Sequence, residues 1–377
     1  MDKFYNPVRS YEGYHCIQEL SNVLSDIDKK IENILVIVWN ENIKENEDIQ
    51  RVIKECNQYQ WKFISFDVSN PEITDLYQLY LDTKEDDFDL IIAIGGGSVL
   101  DVGKSLCCLY GEEISDVEML RQKIREKSLK KGKCSWIGVP TTAGTGSEVT
   151  CWATIWDSKK NSKLSIEHQS NYAYASFVDP QFAETMPVSL AVSSALDAVS
   201  HATEAYWAKA ANLVSSNFAC QAISQIMQHI TELTDEEKKH AAHDYMAKGS
   251  MLAGMAFSNT KTTACHSLSY PLTMNYHIPH GIAVSMLLTE VMKKNQPYIH
   301  DIERLLEAYG VESISELEDK IKSIFKMAGI PYQLRNWNVK KEDFDMLAQQ
   351  SSTKGRIDNN PADLTKEDII EILENIY

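Results

Sequence analysis

Asp89-Leu-Ile-Ile-Ala-Ile-Gly-Gly-Gly-Ser98, continuing as Val-Leu-Asp-Val-Gly-Lys104, decides how this chain is read. The apolar run from Leu90 to Ile94 is short and rich in isoleucine, as in a strand buried on both faces. It enters three glycines directly, and a helix-like segment, Ser98–Tyr110, follows. Glycines at a strand-to-helix junction let the backbone approach a ligand closely. The helix start offers unpaired N–H groups and the positive end of a dipole to a phosphate. A single turn of this kind is a weak signal, since many only make a tight bend. Asp101 and Lys104 lie in the first turns of that helix and also fit an ordinary amphipathic surface.

Similar strands flank this one. Ile34–Trp39 and Trp61–Val68 precede it, and Cys134–Val139 follows, closed by Pro140. Helix-like stretches such as Glu45–Gln60 lie between them. The alternation predicts a parallel sheet with helices on both faces. After the fourth strand comes a second polar loop, Pro140-Thr-Thr-Ala-Gly-Thr-Gly-Ser147, whose hydroxyls and glycines suit pyrophosphate and ribose contacts. A plain Ser/Thr/Gly turn would look the same alone. Two such loops, each after a strand, fit a dinucleotide site better than two coincidental turns.

Past Pro187 the pattern turns helical: Leu190–Ala210, Ser215–Glu232, Lys238–Asn259 and Ile299–Ala308 are rich in Ala, Met and Leu. Pro271, Pro279 and Gly281 punctuate a loop-and-helix region. The expected organisation is an α/β domain over residues 1–186 and an all-helical domain over 187–377. In the helical half, Asp197 and His201 are spaced i, i+4, which puts a carboxylate and an imidazole on one helix face. His266 and His280 follow. Three imidazoles and a carboxylate suit Fe²⁺ or Zn²⁺ with a position left for substrate. Each histidine alone fits a satisfied core or surface residue better than a ligand.

Composition sets outer bounds. With 377 residues, 44% of them hydrophobic, the chain can build large cores. A net charge of −17 argues against nucleic acid as a partner. No apolar run reaches membrane-spanning length, and MDKFYNPVRS lacks the apolar core of a signal peptide. Eight cysteines without a CxxC pair fit free thiols in a reducing cytoplasm, so a cytoplasmic location is expected.

Taken together, GGGSVLDVGK (95–104), PTTAGTGSEVT (140–150), DAVSHATEAY (197–206), Cys265-His266 and Pro279-His-Gly281 resemble the iron-containing alcohol dehydrogenase family in order and spacing over essentially the whole chain. The resemblance implies a dehydroquinate synthase-like architecture: an α/β domain binding NADH or NADPH and a helical domain holding the metal, with the reaction in the cleft between. It implies Asp197, His201, His266 and His280 as metal ligands. It implies Gly96, Gly97 and Ser98 as the pyrophosphate loop, with Asp101 as a further cofactor-binding residue. Thr141, Thr142 and Thr145 then form a second cofactor loop, and Asn70 and Lys163 are further cofactor contacts. A homo-oligomer, dimer or larger, is also implied, as is reduction of a small aldehyde.

Two positions depart from the family pattern. Asn40 stands where an aspartate often meets the ribose 2′-OH, so a 2′-phosphate is not repelled and NADPH becomes admissible; Glu41 next to it could restore a preference for NADH. Tyr270 stands where many members carry a proton-relaying histidine. A phenol can pass a proton, although its unperturbed pKa is about 10; His277 or water are the alternatives. The pattern TTACHSLSYPLT (262–273), with YNPVRSYEG near the N-terminus, resembles the branch reducing phosphonoacetaldehyde to 2-hydroxyethylphosphonate. A phosphonate needs cationic partners, and Lys354 and Arg356 are the candidates; the alternative is that both are solvated loop residues. Short-chain alcohols or diols are the competing substrates, and a metal-dependent lyase on the same scaffold is the remoter alternative.

Overall fold

The computed structural model describes residues 3–129, 132, 134–160, 162–351 and 356–377. Contacts divide the chain into two compact units. One comprises Asn6–Thr142 with Ser147–Ala183; the other comprises Glu184–Tyr377 with Ala143–Gly146 and Met1–Tyr5. The glycine-containing piece Ala143–Gly146 therefore packs with the helical unit, although its neighbours on both sides belong to the α/β unit.

The α/β unit contains β1 (Arg9–Glu12), α1 (Leu20–Ser25), β2 (Asn33–Val38), α2 (Glu47–Glu55), β3 (Gln60–Ser65), α3 (Ile73–Thr83), β4 (Leu90–Gly95), α4 (Gly97–Leu109), α5 (Val117–Arg125), β5 (Ser135–Pro140), β6 (Trp152–Asp157), β7 (Ser162–Glu167) and β8 (Ala175–Val178). Six strands form one sheet in the order β1-β8-β5-β4-β2-β3, with every pairing parallel. Side chains alternate across this sheet. Ile34, Val36 and Val38 of β2 join a core with Ile17, Leu20, Val23 and Phe177. Leu35 and Ile37 join another with Leu76, Val102 and Leu106. Burial on both faces explains why β2 and β4 read as unbroken apolar runs.

The four expected strands are present, each displaced by a residue or more. Four strands among the described residues, β1, β6, β7 and β8, were not foreseen. β1 and β8 extend one side of the sheet, and β6 pairs antiparallel with β7 as a separate hairpin. The hairpin is fastened to the loop after β3, because Trp156 N–H donates to the Pro71 carbonyl at 2.8 Å. It is also fastened to α5, where the Arg121 guanidinium makes two bonds to the buried Asp157 carboxylate at 2.6 and 3.0 Å.

The helical unit contains α6 (Val188–Trp207), α7 (Leu213–His229), α8 (Lys239–Thr260), α9 (Ala264–Tyr276), α10 (His280–Asn295), α11 (Ile302–Tyr309), α12 (Ile314–Met327), α13 (Phe344–Gln350) and α14 (Lys366–Asn375), with no strand among the described residues. Pro271 does not break the chain into a loop: it lies inside α9, buried. Among the described residues no helix is long and apolar enough to cross a membrane.

Candidate metal centre and cofactor loops

Asp197, His201 and Glu204 fall at i, i+4 and i+7 on α6, so one stripe of that helix carries all three, and all three are buried. α9 begins two residues before His266, at Ala264, and brings this second imidazole to the stripe. Ligand atoms of Asp197, His201 and His266 lie within 4.8 Å of one another. Asp197 Oδ1 and His266 Nε2 face each other at 3.6 Å, too far for a hydrogen bond, and neither has a hydrogen-bond partner.

The surroundings fix how these rings present themselves. Glu204 binds His266 Nδ1 with one carboxylate oxygen, which leaves the Nε2 lone pair for the cluster. Its other oxygen accepts from Thr263 Oγ1 at 2.8 Å and from the Cys265 backbone N–H at 2.7 Å. Thr263 in turn accepts from Trp207 Nε1 at 2.8 Å. His201 Nδ1 donates to the Gly144 carbonyl at 3.3 Å, and its ring stacks on Phe257 at 4.2 Å. Burial pushes the His201 imidazole down to about 4, against the pull of Asp197, so it is neutral at physiological pH. For Asp197, burial works upward but is outweighed by the imidazoles of His201, His266 and His280, and the carboxyl is held well below the usual range. A neutral imidazole and an ionised carboxylate are the forms that ligate a cation.

His280 opens α10 and is half-buried. Its ring meets His266 edge-on, with centroids 5.4 Å apart. Gly281 allows this approach: a Cβ there would sit 2.4 Å from the Ser193 carbonyl and 3.1 Å from Asp197 Cβ. His280 thus flanks the three-residue cluster without completing its tightest grouping. Tyr270, one turn after His266, lies parallel to the His280 ring at 5.7 Å, and the Arg356 guanidinium lies over Tyr270 at 5.0 Å from the ring centre. His277 is the exposed, left-handed C-cap of α9. Lys354 lies outside the described residues.

In the α/β unit, Gly96 is the N-cap of α4, and Gly97 and Ser98 form its first turn. Thr142 closes on this turn, since a Cβ on Gly96 would lie 3.3 Å from the Thr142 methyl. Thr141 N–H donates to the Gly95 carbonyl at 3.0 Å, and Asn70 N–H donates to Ser98 Oγ at 3.2 Å. Gly96, Ser98, Asn70, Thr141 and Thr142 are thus neighbours, forming a cradle that glycine keeps open and that suits a pyrophosphate. Asp101 binds groups from two later segments of the chain. Its carboxylate is taken up by Ser147 Oγ at 2.6 Å and Thr154 N–H at 2.7 Å, which ties α4 to the second loop and to β6. Beneath it Lys104, fully buried, donates to the Ser147 carbonyl, Ser147 Oγ, Thr150 Oγ1 and the Trp152 carbonyl. Lys163 sits on β7 opposite Trp156, its ammonium over that ring. Asn40 caps the turn after β2, its Oδ1 accepting from Asn42 N–H at 2.8 Å. Thr145 packs with the helical unit.

Sequence reading missed Glu204 and Ser147 as working residues. Glu204 was detectable, because it continues the Asp197–His201 stripe by one turn. Ser147 carried no comparable signal.

Residues 7–180 match the family described as iron-containing alcohol dehydrogenase, and residues 191–377 match the C-terminal part of the Fe-containing alcohol dehydrogenase family. A 4-hydroxybutyrate dehydrogenase of Clostridium kluyveri is 32% identical, covering 78% of this chain and 81% of its own. A lactaldehyde reductase of Escherichia coli is 31% identical over 84% of each chain. The solved sulfoacetaldehyde reductase of Bifidobacterium kashiwanohense, in complex with NAD+, superposes with a TM-score of 0.89 at 23% identity, covering 100% of this chain and 98% of that one, a likeness of fold. The enzymes of the matched family are NAD(P)-dependent alcohol dehydrogenases or aldehyde reductases. With both halves matched in order, the chain belongs to the iron-containing alcohol dehydrogenase family.

Proposed function

We propose that the protein reduces phosphonoacetaldehyde to 2-hydroxyethylphosphonate with NADPH or NADH. In this reading residues 1–186 hold the cofactor, and residues 187–377 hold an Fe²⁺ or Zn²⁺ ion on Asp197, His201, His266 and His280. The observation that carries the metal reading is the buried cluster whose Asp197 Oδ1 and His266 Nε2 lack partners. Buried polar atoms are otherwise nearly always satisfied.

A bound divalent ion supplies Lewis acidity toward a carbonyl oxygen, and a bound nicotinamide supplies the hydride. The chain's own residues supply the rest. Glu204 holds His266 in one tautomer and one orientation. Gly144 does the same for His201 through its carbonyl. Gly96, Gly97 and Ser98 hold the pyrophosphate, and Thr141, Thr142, Thr145, Asn70 and Lys163 hold the rest of the dinucleotide. Asn40 presents no charge to a 2′-phosphate, which admits NADPH, while Glu41 beside it favours NADH, so both cofactors are tested. Arg356 receives the phosphonate.

The test is anaerobic loading with Fe²⁺ or Zn²⁺, followed by NADPH and NADH oxidation with phosphonoacetaldehyde, propionaldehyde and lactaldehyde. The expected result is a kcat/KM for phosphonoacetaldehyde at least tenfold above the neutral aldehydes, since a charge-assisted contact contributes roughly 1.5–3 kcal/mol. A preference for neutral aldehydes would leave the second reading, a general short-chain alcohol or diol dehydrogenase. That reading is favoured by the 4-hydroxybutyrate dehydrogenase and lactaldehyde reductase relatives.

A further inference from the structure

We infer that Tyr270 is a positioning residue for the substrate's anionic end: its ring holds the Arg356 guanidinium within one ring's reach of His280, which makes this site selective for aldehydes bearing an acidic group. The inference rests on the phosphonate reading above and supplies the residue that would make it work.

Four groups form a continuous series in the helical unit. The His266 ring meets His280 edge-on at 5.4 Å, His280 lies parallel to Tyr270 at 5.7 Å and 5°, and Arg356 lies over Tyr270 at 5.0 Å. Tyr270 is 6% exposed, so its ring is a fixed wall. The electron-rich face of a phenol ring attracts a guanidinium, and the attraction strengthens as water is removed. Arginine is the side chain whose planar fork then matches a phosphonate, sulfonate or carboxylate by two parallel bonds.

The backbone that bears Arg356 is anchored independently. Asn359 N–H donates to the Arg356 carbonyl at 3.0 Å. Asn359 Nδ2 donates to the carbonyls of Thr260 at 2.8 Å and Thr262 at 3.2 Å, in the connection that leads into α9. Lys209 N–H binds the Asn359 carbonyl at 3.0 Å. The turn after Arg356 is therefore fixed to the same connection that delivers His266, and the Tyr270 ring fixes the guanidinium at the far end of its side chain. A histidine at this position would offer a smaller and less electron-rich face. The tyrosine therefore exchanges a relay ring for a cation-holding one. The hydroxyl is dispensable in this account, because the ring face does the holding.

The experiment compares Tyr270→Phe, Tyr270→Leu, Tyr270→His and Arg356→Met in the metal-loaded enzyme. KM and kcat are measured for phosphonoacetaldehyde and propionaldehyde, and 2-hydroxyethylphosphonate binding to the NADP⁺ complex is measured by calorimetry. Tyr270→Phe keeps the ring face and should therefore keep the selectivity of the enzyme, measured as the ratio of the two KM values. Tyr270→Leu and Tyr270→His should raise the KM for phosphonoacetaldehyde and the Kd for 2-hydroxyethylphosphonate roughly five- to thirtyfold, with propionaldehyde unaffected. Tyr270→His carries the prediction if the leucine variant does not fold. A loss of kcat with both aldehydes in Tyr270→Phe, with a shifted pH profile, overturns the inference in favour of a proton relay. Equal losses with both aldehydes in Tyr270→Leu and Tyr270→His reduce the ring to a pocket wall and overturn it too. If Arg356→Met weakens phosphonate binding while Tyr270→Leu does not, the positioning role alone fails. If Arg356→Met changes nothing, the phosphonate reading fails with it.

Discussion

Replacing Glu204 by Gln probes the proposed metal centre without touching a proposed ligand. One Glu204 oxygen accepts from Thr263 Oγ1, from Cys265 N–H and, at 3.3 Å, from His266 N–H; the other binds His266 Nδ1. Gln keeps the shape but can present only one acceptor oxygen. With that oxygen kept on the Thr263 side, its NH₂ faces His266 Nδ1. Nδ1 must then accept, and the ring proton moves to Nε2, the nitrogen 3.6 Å from Asp197 Oδ1. A protonated Nε2 has no lone pair to give a cation. If the amide flips instead, Thr263 and Cys265 lose their acceptor. Exchanging one charged hydrogen bond for a neutral or mismatched one costs about 1.5–3 kcal/mol of stability. Loss of such an outer carboxylate weakens metal affinity about 10- to 100-fold. Chelator competition on the purified protein reads the affinity. Urea unfolding with and without metal reads the linked stability, which should drop by about 1.4 kcal/mol per tenfold loss of affinity at fixed excess metal. An unchanged chelator-competition curve in a folded Glu204→Gln variant would refute the tautomer argument.

Further predictions come from the packing. Burial raises the Glu148 carboxyl to about 7, partly offset by Lys104. The folded state then holds a proton that the unfolded chain releases near 4.5, so this stabilisation is complete below 4.5 and lost as pH rises to about 7, roughly 3 kcal/mol in all. Glu148→Gln should remove that slope from urea midpoints measured between pH 4.5 and 8; a slope equal to wild type would sink the assignment. Asp157→Asn breaks the bidentate pair with Arg121 and leaves a buried guanidinium short of charge, an expected loss of about 3–5 kcal/mol by denaturant titration, with a change under 1 kcal/mol counting against it. Gly146 has φ +56°, and a Cβ there would lie 2.5 Å from Gly254 Cα, so Gly146→Ala should lower stability by about 1–3 kcal/mol; a neutral result in thermal unfolding would mean that the loop re-forms elsewhere.

What could be read in advance depended on how each element is stabilised. β2 and β4 are buried on both faces, and their isoleucine and valine runs announce them. α2 was expected over Glu45–Gln60 but spans Glu47–Glu55, because the Asn46 side chain caps the N–H groups of Asp48 and Ile49 and the chain turns at Cys56 toward β3. β1 has only four residues, too few for any period to register. The hairpin did carry a signal: Ala153 and Ile155 on β6 and Leu164 and Ile166 on β7 are buried at alternating positions. Pro271 misleads because its missing N–H is a local penalty, whereas α9 is held by burial along most of its length. The role of Asp101 was out of reach, since Ser147 and Thr154, which bind its carboxylate, lie far along the chain and meet it only in the folded state.

The same distinction separates a metal centre from a set of core histidines. A histidine kept for packing settles both ring nitrogens among protein partners, because an unsatisfied buried polar atom is expensive. His266 settles only Nδ1, through Glu204. Next to it Asp197 is held ionised, and Glu204 is lowered as well, burial being outweighed by His266 and the hydroxyl and backbone donors around Thr263. His266 Nε2 and Asp197 Oδ1 are thus left facing each other without partners, and a divalent cation on Asp197, His201 and His266 would satisfy both atoms at once. That could not be inferred from any one of the histidines in isolation.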